Sequence, residues 1–582
     1  MQENITVMPI CENTGENPIT ERSEITELLK KKKRCGVIRS IAFRRIIIEI
    51  TGELYHFDQG KVIEAWFVTE DNAQKIVPQH FDVEGTGFRL TMNVLSAAQQ
   101  SPIPSGNYYL LFRQGSAALY PALISAGFVH EENDDKSNPV NLKIYKSANH
   151  LFSCLSKSDL DTGAFYLAVT YKYPAPPLTF FQKRLKNHQA RVSGFVKFVN
   201  QVKLDAFQGW FRFFNRHVRK KGNVILFTSG SRAEIGGNEE FIYNRMRERG
   251  LDKDYQFRFD FKPTISTTRS PWKMLRFVYY LATSDVVILD DYYPEIYKVE
   301  YDLQVKVVQV WHACGAFKSL GLERMGKPGA PALNTNVHKC YTHVPVSSYH
   351  STLHHAEAFG IDEDKFLPIG IPRTDIFFDP AYKERIVPLM YAQFPAAAKA
   401  KKVYLYAPTF RGDNAFNAFF PFDKIDYHAV GKFCRETGAV FLFKMHPFVS
   451  NGVVIPAEYA DCIIDASGYR EVNDILFIVD VLITDYSSII YEFSLLRRPM
   501  YFFAFDQKMY ESTRDFYEPY EQIVPGKIVK DFGSLMEALK RDDYDYSILD
   551  AFIRKNFTYT DGKATDRFID EVILDKPAKY EL

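Results

Sequence analysis

The chain has 582 residues, of which 46% are hydrophobic and 25% charged, a composition typical of globular domains with buried cores. Its 72 basic and 71 acidic residues nearly cancel, which excludes the strong positive field that attracts nucleic acid. Seven dispersed cysteines show no paired spacing, so we expect a reducing compartment and no cysteine-based zinc site.

The N-terminal third of the chain is rich in β-type segments. Between Ile38 and Tyr173, runs such as RRIIIEI, FRLTMNVL and NYYLLFR alternate with the turn sequences DQGK and PIPSGN, without a long helical pattern. Proline pairs cannot continue a sheet, so YPAPP ends the series. The spacing predicts a β-rich, sandwich-like accessory domain over residues 1–177. The first residues show no signal peptide, and no apolar run is long enough to span a membrane, so we expect a cytoplasmic protein.

Residues 178–221 are basic and aromatic. The stretch from Phe180 to Lys221 carries a single acid, Asp205, and its apolar residues recur at the three- and four-residue steps of a helix. Two interpretations remain open. A basic face beside an aromatic face suits docking to an anionic membrane surface. Alternatively, the helix packs its aromatic side chains against the rest of the protein and leaves its basic face in water.

After Gly222, short apolar strands alternate with helical stretches. NVILFTS, DVVILDD and VKVVQVWH form one set of strands, and KKVYLYAPT, AVFLFKMHP, DCIIDAS, DVLITDYSS and RPMYFFAFD form a second. Continuously apolar strands separated by helices predict parallel sheets covered on both faces. We therefore predict an α/β fold with two doubly wound, Rossmann-type domains, at residues 222–385 and 386–582. Ligands bind at the C-terminal ends of the strands in such folds.

Polar residues follow the predicted strand Val481–Thr484. Asp485, Ser487 and Ser488 stand between it and the predicted helix Ile489–Leu496, where backbone N–H groups lack partners within the helix. Hydroxyls and N–H groups at such a position suit a phosphate. Capping alone needs only one of these side chains, so the phosphate interpretation is favoured.

Other predicted strands also end in polar side chains. These are Trp311 and His312 with Lys318 shortly after, Arg373 with Asp375, Thr409 with Arg411, and Lys444 with His446. Together they suit a diphosphate and an acceptor hydroxyl. P-loop, H-E-x-x-H and G-x-S-x-G motifs are absent from the sequence, and we interpret the acidic pair Asp290–Asp291 as a strand-end turn. We expect no metal site and no cofactor.

Five ordered motifs carry a family resemblance. WHACGAFKSLG, GIPRTD, YAPTFRG, KMHP and DVLITDYSS with RRPMYFFAFD resemble the CDP-glycerol glycerophosphotransferase family, from Gly222 to the C-terminal helices. This family comprises teichoic-acid primases and polymerases that look like GT-B glycosyltransferases. The resemblance implies transfer of glycerol phosphate or ribitol phosphate from CDP-glycerol or CDP-ribitol to a lipid-linked polyprenyl diphosphate acceptor. It also implies a peripheral enzyme on the inner face of the cell membrane.

The resemblance further implies roles for individual residues. His312 matches the histidine proposed as the base that activates the acceptor hydroxyl, with Trp311 and Lys318 on the acceptor side. His446 matches the second essential histidine, expected near the donor phosphates. The expected donor-binding residues are Arg373, Asp375, Thr409, Arg411, Lys444, Asp485, Ser487 and Ser488. One departure is Ala313–Gly315, where many members have G-T-P after the histidine, so the backbone path there is open.

Two rival functions stay open at this point. A GT-B sugar transferase that uses a nucleotide sugar would share the fold and the cleft. A non-catalytic membrane scaffold with a degenerate core would share the fold without the reaction.

Overall fold

The computed structural model describes residues 34–576, apart from 59, 70–73, 99–101, 116–118, 125–140, 147–148, 160–161, 172–179, 325–334, 413–417, 450, 515 and 543. The expected domain end at YPAPP and the expected lack of a signal peptide lie outside these residues. The chain divides into two compact units. The first is Met1–Ser193 with Leu320–Thr335 and Glu357–Ile361, and the second is Gly194–Ser319 with Asn336–Ala356 and Asp362–Leu582.

The first unit is built on an eleven-stranded sheet, which confirms the predicted β-rich region. Its strands are β1 (Cys35–Arg44), β2 (Ile47–Tyr55), β3 (Ile63–Thr69), β4 (Lys75–Ile76), β5 (His80–Glu84), β6 (Gly87–Asn93), β7 (Gly106–Gln114), β8 (Tyr120–Leu123), β9 (Asn141–Lys146), β10 (Asn149–Ser158) and β11 (Phe165–Tyr171). The order is β5-β6-β2-β1-β8-β7-β11-β10-β9, with β3 paired to β7 and to β4. Strand β8 pairs in parallel with β1 and antiparallel with β7, and so joins the two halves into one sheet.

Side chains from both halves of this sheet share one core. Ile48 and Leu90 come from one half and Phe112 and Phe165 from the other, and all four are fully buried in the same cluster. Apolar residues at every second position of β2 supply that core face, as the two-residue period of a strand requires.

The second unit begins within a long helix and continues into a four-stranded sheet. The helices here are α1 (Phe180–His217, in this unit from Gly194 on), α2 (Gly237–Glu248), α3 (Pro271–Thr283) and α4 (Tyr349–Phe359). The strands are β12 (Val224–Ser229), β13 (Gln256–Phe261), β14 (Val286–Leu289) and β15 (Lys306–Gln309), in the order β13-β12-β14-β15 and all parallel. The short strands β16 (Val344–Pro345) and β17 (Phe366–Leu367) pair with each other, and a 3-10 helix spans Pro372–Phe378.

A six-stranded parallel sheet follows, in the order β20-β19-β18-β21-β22-β23. Its strands are β18 (Lys402–Tyr406), β19 (Ala439–Phe443), β20 (Ile463–Asp465), β21 (Val481–Thr484), β22 (Met500–Phe503) and β23 (Lys527–Val529). The helices are α5 (Pro380–Gln393), α6 (Pro395–Lys399), α7 (Tyr427–Thr437), α8 (Val472–Leu476), α9 (Ile489–Ser494), α10 (Gln507–Thr513), α11 (Tyr520–Ile523), α12 (Phe532–Arg541), α13 (Tyr546–Asn556) and α14 (Ala564–Phe568).

Both parallel sheets confirm the predicted α/β class. Every residue of β12, β14, β19, β21 and β22 is buried, because helices cover both faces of each sheet. The sheets lie on either side of the predicted boundary at residues 385 and 386. Within the described part of the chain, no helix combines the length and the apolar composition that crossing a bilayer requires.

Candidate functional site

A cavity of about 390 Å³ lies in the second unit, where strands of both parallel sheets end. Six of the twelve predicted site residues line it: His312, Arg373, Lys444, His446, Ser487 and Ser488. The structure therefore brings the predicted imidazole of His312 and the predicted phosphate site at Ser487 to one crevice.

The backbone that carries His312 is held in an unusual conformation. Trp311, two residues after the end of β15, has a φ of 48°, which L-residues rarely adopt. The buried amide of Asn238 donates to the carbonyl oxygens of Val310 (3.0 Å) and Trp311 (2.8 Å). The Trp311 N–H donates to Gln309 Oε1 at 2.9 Å. These bonds fix the strand end, and hence the place from which the imidazole projects.

A carboxylate orients the ring of His312. Nδ1 of His312 lies 3.4 Å from Asp291 Oδ1, at the end of the neighbouring strand β14. Burial alone would raise the pKa of Asp291, but the His312 charge and hydrogen bonds from His312, the Tyr292 N–H and Ser231 together lower it. Sequence reasoning treated Asp291 as part of a turn. A contact with His312 could have been inferred from its position. Asp291 follows strand β14, which is the neighbour of the strand that leads to His312.

His446 also lines the cavity, and the backbone sets its tautomer. The Phe448 N–H donates to His446 Nδ1 at 3.2 Å, which leaves the proton of the neutral ring on Nε2. The ring packs against Phe410 and Phe448, with centroid distances of 4.9 and 4.6 Å. Burial, followed by the positive charges of Lys318, Lys444 and His312, lowers the pKa of His446 to about 4.

The cavity is rich in cations. Lys444 donates to the Ser467 carbonyl oxygen at 3.2 Å, and burial lowers its pKa although Asp465 and Glu471 oppose the shift. Arg232 and Arg470 also line the cavity, and the sequence analysis did not name either, although each follows a predicted strand (NVILFTS and DCIIDAS) by three residues. Arg373 pairs with the buried carboxylate of Glu492 at the cavity wall.

The segment from Asp485 to Ser488 is not organised as a simple helix cap. Helix α9 has six residues and ends at Ser494, two residues before the predicted end at Leu496. Ser488 at its N-cap position accepts no side-chain cap hydrogen bond, and the Ser487 hydroxyl accepts only a long one, 3.4 Å, from the Ile489 N–H. Capping therefore does not account for these two hydroxyls, which line the cavity.

Asp485 and Arg411 support the cavity from behind. Arg411 is buried and bonds two carboxylates, Asp485 (3.0 Å) and Asp506 (2.6 Å). Asp485 also accepts the Thr409 N–H at 2.7 Å. Among the described residues, these three predicted donor contacts, Thr409, Arg411 and Asp485, are not part of the cavity lining. Direct contact of these three residues with a donor stays a prediction, and the ion pairs of Arg411 with Asp485 and Asp506 indicate a positioning role.

The remaining three predictions also fall outside the lining. Asp375 accepts the N–H groups of Ala564 (2.9 Å) and Thr565 (2.8 Å), so it fixes the start of α14, and its contact with a donor stays a prediction. The Trp311 ring packs against the His312 ring, with a centroid distance of 4.5 Å. Lys318 donates to the Tyr510 hydroxyl at 3.5 Å and stands close enough to His446 to affect its pKa.

The chain is similar to several known proteins. A family model described as CDP-Glycerol:Poly(glycerophosphate) glycerophosphotransferase matches residues 210–574. The teichoic acid ribitol-phosphate polymerase TarL of Staphylococcus aureus is 47% identical over 350 residues, or 60% of this chain and 62% of TarL. The teichoic acid glycerol-phosphate primase of Bacillus subtilis is 31% identical over 306 residues, or 52% of this chain and 76% of the primase. The structure of the wall teichoic acid polymerase TagF shares the fold, with a TM-score of 0.54 and 24% identity over 67% of this chain and 97% of TagF.

Proposed function

Because the chain belongs to the CDP-glycerol:poly(glycerophosphate) glycerophosphotransferase family, we propose that it transfers an alditol phosphate from a CDP-activated donor to a hydroxyl of a lipid-linked acceptor. The observation that carries the proposal is the pairing of His312 with Asp291 at a cavity that also holds Ser487. Such a pair suits a general base. The hydroxyls and cations that line the same cavity suit a diphosphate. The finer description, two GT-B-like Rossmann domains behind an accessory domain, is part of the same proposal.

The His312–Asp291 pair and the cations of the cavity indicate the course of the reaction. His312 takes the proton of the acceptor hydroxyl through Nε2, because Asp291 holds the Nδ1 side. The acceptor oxygen bonds to the distal phosphorus of the donor while the bond between that phosphorus and the CMP oxygen breaks. Lys444, His446 and Arg470 stabilise the negative charge that builds on the departing CMP.

We propose that this chemistry needs no divalent metal. Cationic side chains and hydroxyls provide the charge stabilisation that Mg²⁺ gives in other phosphoryl transfers. In the residues that the structure describes, the one cluster of metal-type ligands is His350, His354 and Glu518, and none of the three lines the cavity. Activity that is lost in a chelator and restored by Mg²⁺ would contradict this part of the proposal.

The donor that we propose to test first is CDP-ribitol. The sequence analysis put CDP-glycerol first, but TarL is a ribitol-phosphate polymerase at 47% identity, whereas the glycerol-phosphate primase is 31% identical. The experiment incubates the protein with CDP-ribitol, CDP-glycerol or a nucleotide sugar on a lipid-linked acceptor and determines the product mass. We expect added ribitol phosphate units with release of CMP. Sugar transfer without CMP release would reject the proposed reaction.

Replacing Ser487 by alanine is expected to weaken donor binding. The change removes a cavity hydroxyl that, among the residues the structure describes, makes one long hydrogen bond, so the fold loses little. A lost hydrogen bond to a charged phosphate corresponds to about tenfold in affinity. Calorimetric titration with the CDP donor measures the effect. The matched control is Ser534→Ala, at the exposed start of α12, which should leave donor affinity unchanged.

Donor affinity is expected to depend on pH through His446. Its pKa of about 4 leaves the ring neutral at neutral pH in the free protein. A bound diphosphate places negative charge beside the ring and raises the pKa, so the complex binds more protons than the free protein. Affinity therefore falls as the pH rises through the raised pKa of the complex. Titrations from about pH 5 to about pH 8 should show this slope in the native chain and lose it in His446→Gln. An equal slope in both proteins would show that another group titrates.

We also propose that α1 docks the protein on the inner face of the cell membrane. Both interpretations of this helix have support, on different faces. Phe207 and Phe211 are buried and contact Phe277 and Tyr301. Over residues 198–217, where the side chains are described, the exposed large apolar side chains are Phe198, Val202, Trp210 and Phe213, and Lys203, Arg212 and Arg216 are exposed basic side chains near them. An apolar surface ringed by basic groups suits an anionic bilayer.

Removing the exposed aromatic rings is expected to weaken membrane binding. The double variant Trp210→Ser and Phe213→Ser should bind phosphatidylglycerol vesicles at least about tenfold more weakly, because each ring contributes apolar area to the bilayer contact. Vesicle co-sedimentation at fixed ionic strength measures this. Tyr546→Ser, an equally exposed aromatic residue on α13, is the control. Unchanged sedimentation of the double variant would show that α1 does not dock the protein on the membrane.

A further inference from the structure

Two histidines and a glutamate form a cluster outside the catalytic cavity. His350 and His354 lie four residues apart on α4, and therefore on the same face of the helix. Glu518, between α10 and α11, faces them, and one ligand atom from each of the three residues lies within 4.8 Å of the other two. We propose that this cluster binds a Zn²⁺-class divalent cation. The proposal departs from the expectation of no metal site.

The distances suit a tetrahedral ion. His350 Nε2 lies 2.8 Å from Glu518 Oε1, and His354 Nε2 lies 4.0 Å from the same oxygen. Zinc–ligand bonds of about 2.1 Å place neighbouring ligand atoms about 3.4 Å apart, between these two values. Rotamer adjustments of less than about 1 Å would complete the geometry.

The ligand set selects the class of ion. Two imidazoles and one carboxylate suit zinc and its neighbours among the transition metals, whereas magnesium and calcium prefer oxygen ligands alone. Three protein ligands leave a fourth position for water, and the partial exposure of the side chains allows this. His350 is 28% exposed and Glu518 22% exposed.

A second group orients the carboxylate. Lys555 on α13 donates to Glu518 Oε2 at 2.5 Å, which leaves Oε1 directed at the two histidines. Hydrogen bonds of this kind fix the direction of a metal-binding carboxylate. The ring of Tyr517 packs against that of His354, with a centroid distance of 4.4 Å, and restricts its rotation.

The ion would fasten two parts of the second unit. Helix α4 lies between β16 and β17, beside the four-stranded sheet, whereas Glu518 lies between β22 and β23 of the six-stranded sheet. The Tyr517 N–H donates to the Phe317 carbonyl oxygen, and Lys318 pairs with Phe516, so the Glu518 segment borders the chain that leaves His312. Metal binding would therefore hold together the two layers that enclose the cavity.

The test titrates the full, tag-free chain with Zn²⁺ alone after dialysis against a chelator, and needs no assay of turnover. We expect saturation at one equivalent and a rise in Tm that follows it. His350→Gln and Glu518→Gln should each weaken Zn²⁺ binding by roughly 10- to 100-fold or more, since each removes a ligand or its charge. Mg²⁺ should produce neither response.

The matched control is His428→Gln. His428 pairs with Glu458 at 3.2 Å on the surface, so it offers one imidazole and one carboxylate without a third ligand. Zn²⁺ affinity should be unchanged in this variant. The proposal is overturned by lack of saturation in the native chain, by equal affinity in His350→Gln and the native chain, or by an equal loss in the control. If His350→Gln fails to fold, His354→Gln takes its place. The Zn²⁺ affinity of His354→Gln is then compared with that of the native chain in the same way.

Discussion

Replacing His312 by alanine is expected to lower kcat by about 10²- to 10⁴-fold, the usual contribution of a general base. Donor affinity should stay unchanged, because the proposed donor-side residues Lys444, His446 and Ser487 keep their own partners when the His312 ring is removed. Single-turnover kinetics measures the loss, and calorimetric titration with the CDP donor measures binding. A parallel loss of donor affinity would show that His312 holds the donor and does not activate the acceptor.

Two companion variants separate chemistry from general damage. His428→Ala removes an exposed histidine and should leave kcat unchanged. Asp291→Asn keeps the shape beside His312 Nδ1 but removes the charge, so kcat should fall by less than in His312→Ala. Donor affinity should stay unchanged in Asp291→Asn, because Asp291 contacts the ring of His312 and not the donor. A fall in donor affinity together with kcat would indicate a merely structural role for Asp291.

The sheets were predictable because their strands are buried on both faces. Continuous runs such as Val224–Ser229 and Met500–Phe503 have the sequence pattern of strands that are buried on both faces. Strand β13 escaped prediction because charged residues interrupt QFRFDF, and β23 because it has only three residues. In the N-terminal unit, the link through β8 depends on pairing between strands far apart in the chain, which local patterns do not encode.

The sequence was sufficient to predict which strand ends carry the site. It was not sufficient to predict which side chains pair with each other there. Polar residues after apolar strands located His312, His446 and Ser487 correctly at one cavity. The same rule could not show that Arg411 turns inward to two carboxylates, because Asp506 lies far along the chain. Glu518 was missed for the same reason: the spacing of His350 and His354 supplies two ligands, and the third comes from a distant loop.

Replacing Arg411 by methionine is expected to destabilise the protein by about 3–5 kcal/mol, the usual cost of leaving buried charges without their partner. Asp485 is 1% exposed and Asp506 10% exposed, and both would lose the guanidinium that now bonds them. Thermal unfolding should show a Tm lower by roughly 4–6 °C, since the Tm shift per kcal/mol becomes smaller as the unfolding unit becomes larger. Donor binding should weaken as well, because Asp485 positions the residues that lead into Ser487 and Ser488.

The control for this prediction is Arg541→Met. Arg541 pairs with Glu537 at 3.6 Å on α12, with side chains 67% and 72% exposed, so solvent already screens the pair. Exposed pairs of this kind contribute about 1 kcal/mol or less. A Tm shift in Arg411→Met no larger than that of Arg541→Met would mean that the two carboxylates tolerate the loss. They would then relax towards water or take up protons, and the positioning role assigned to Arg411 would be wrong.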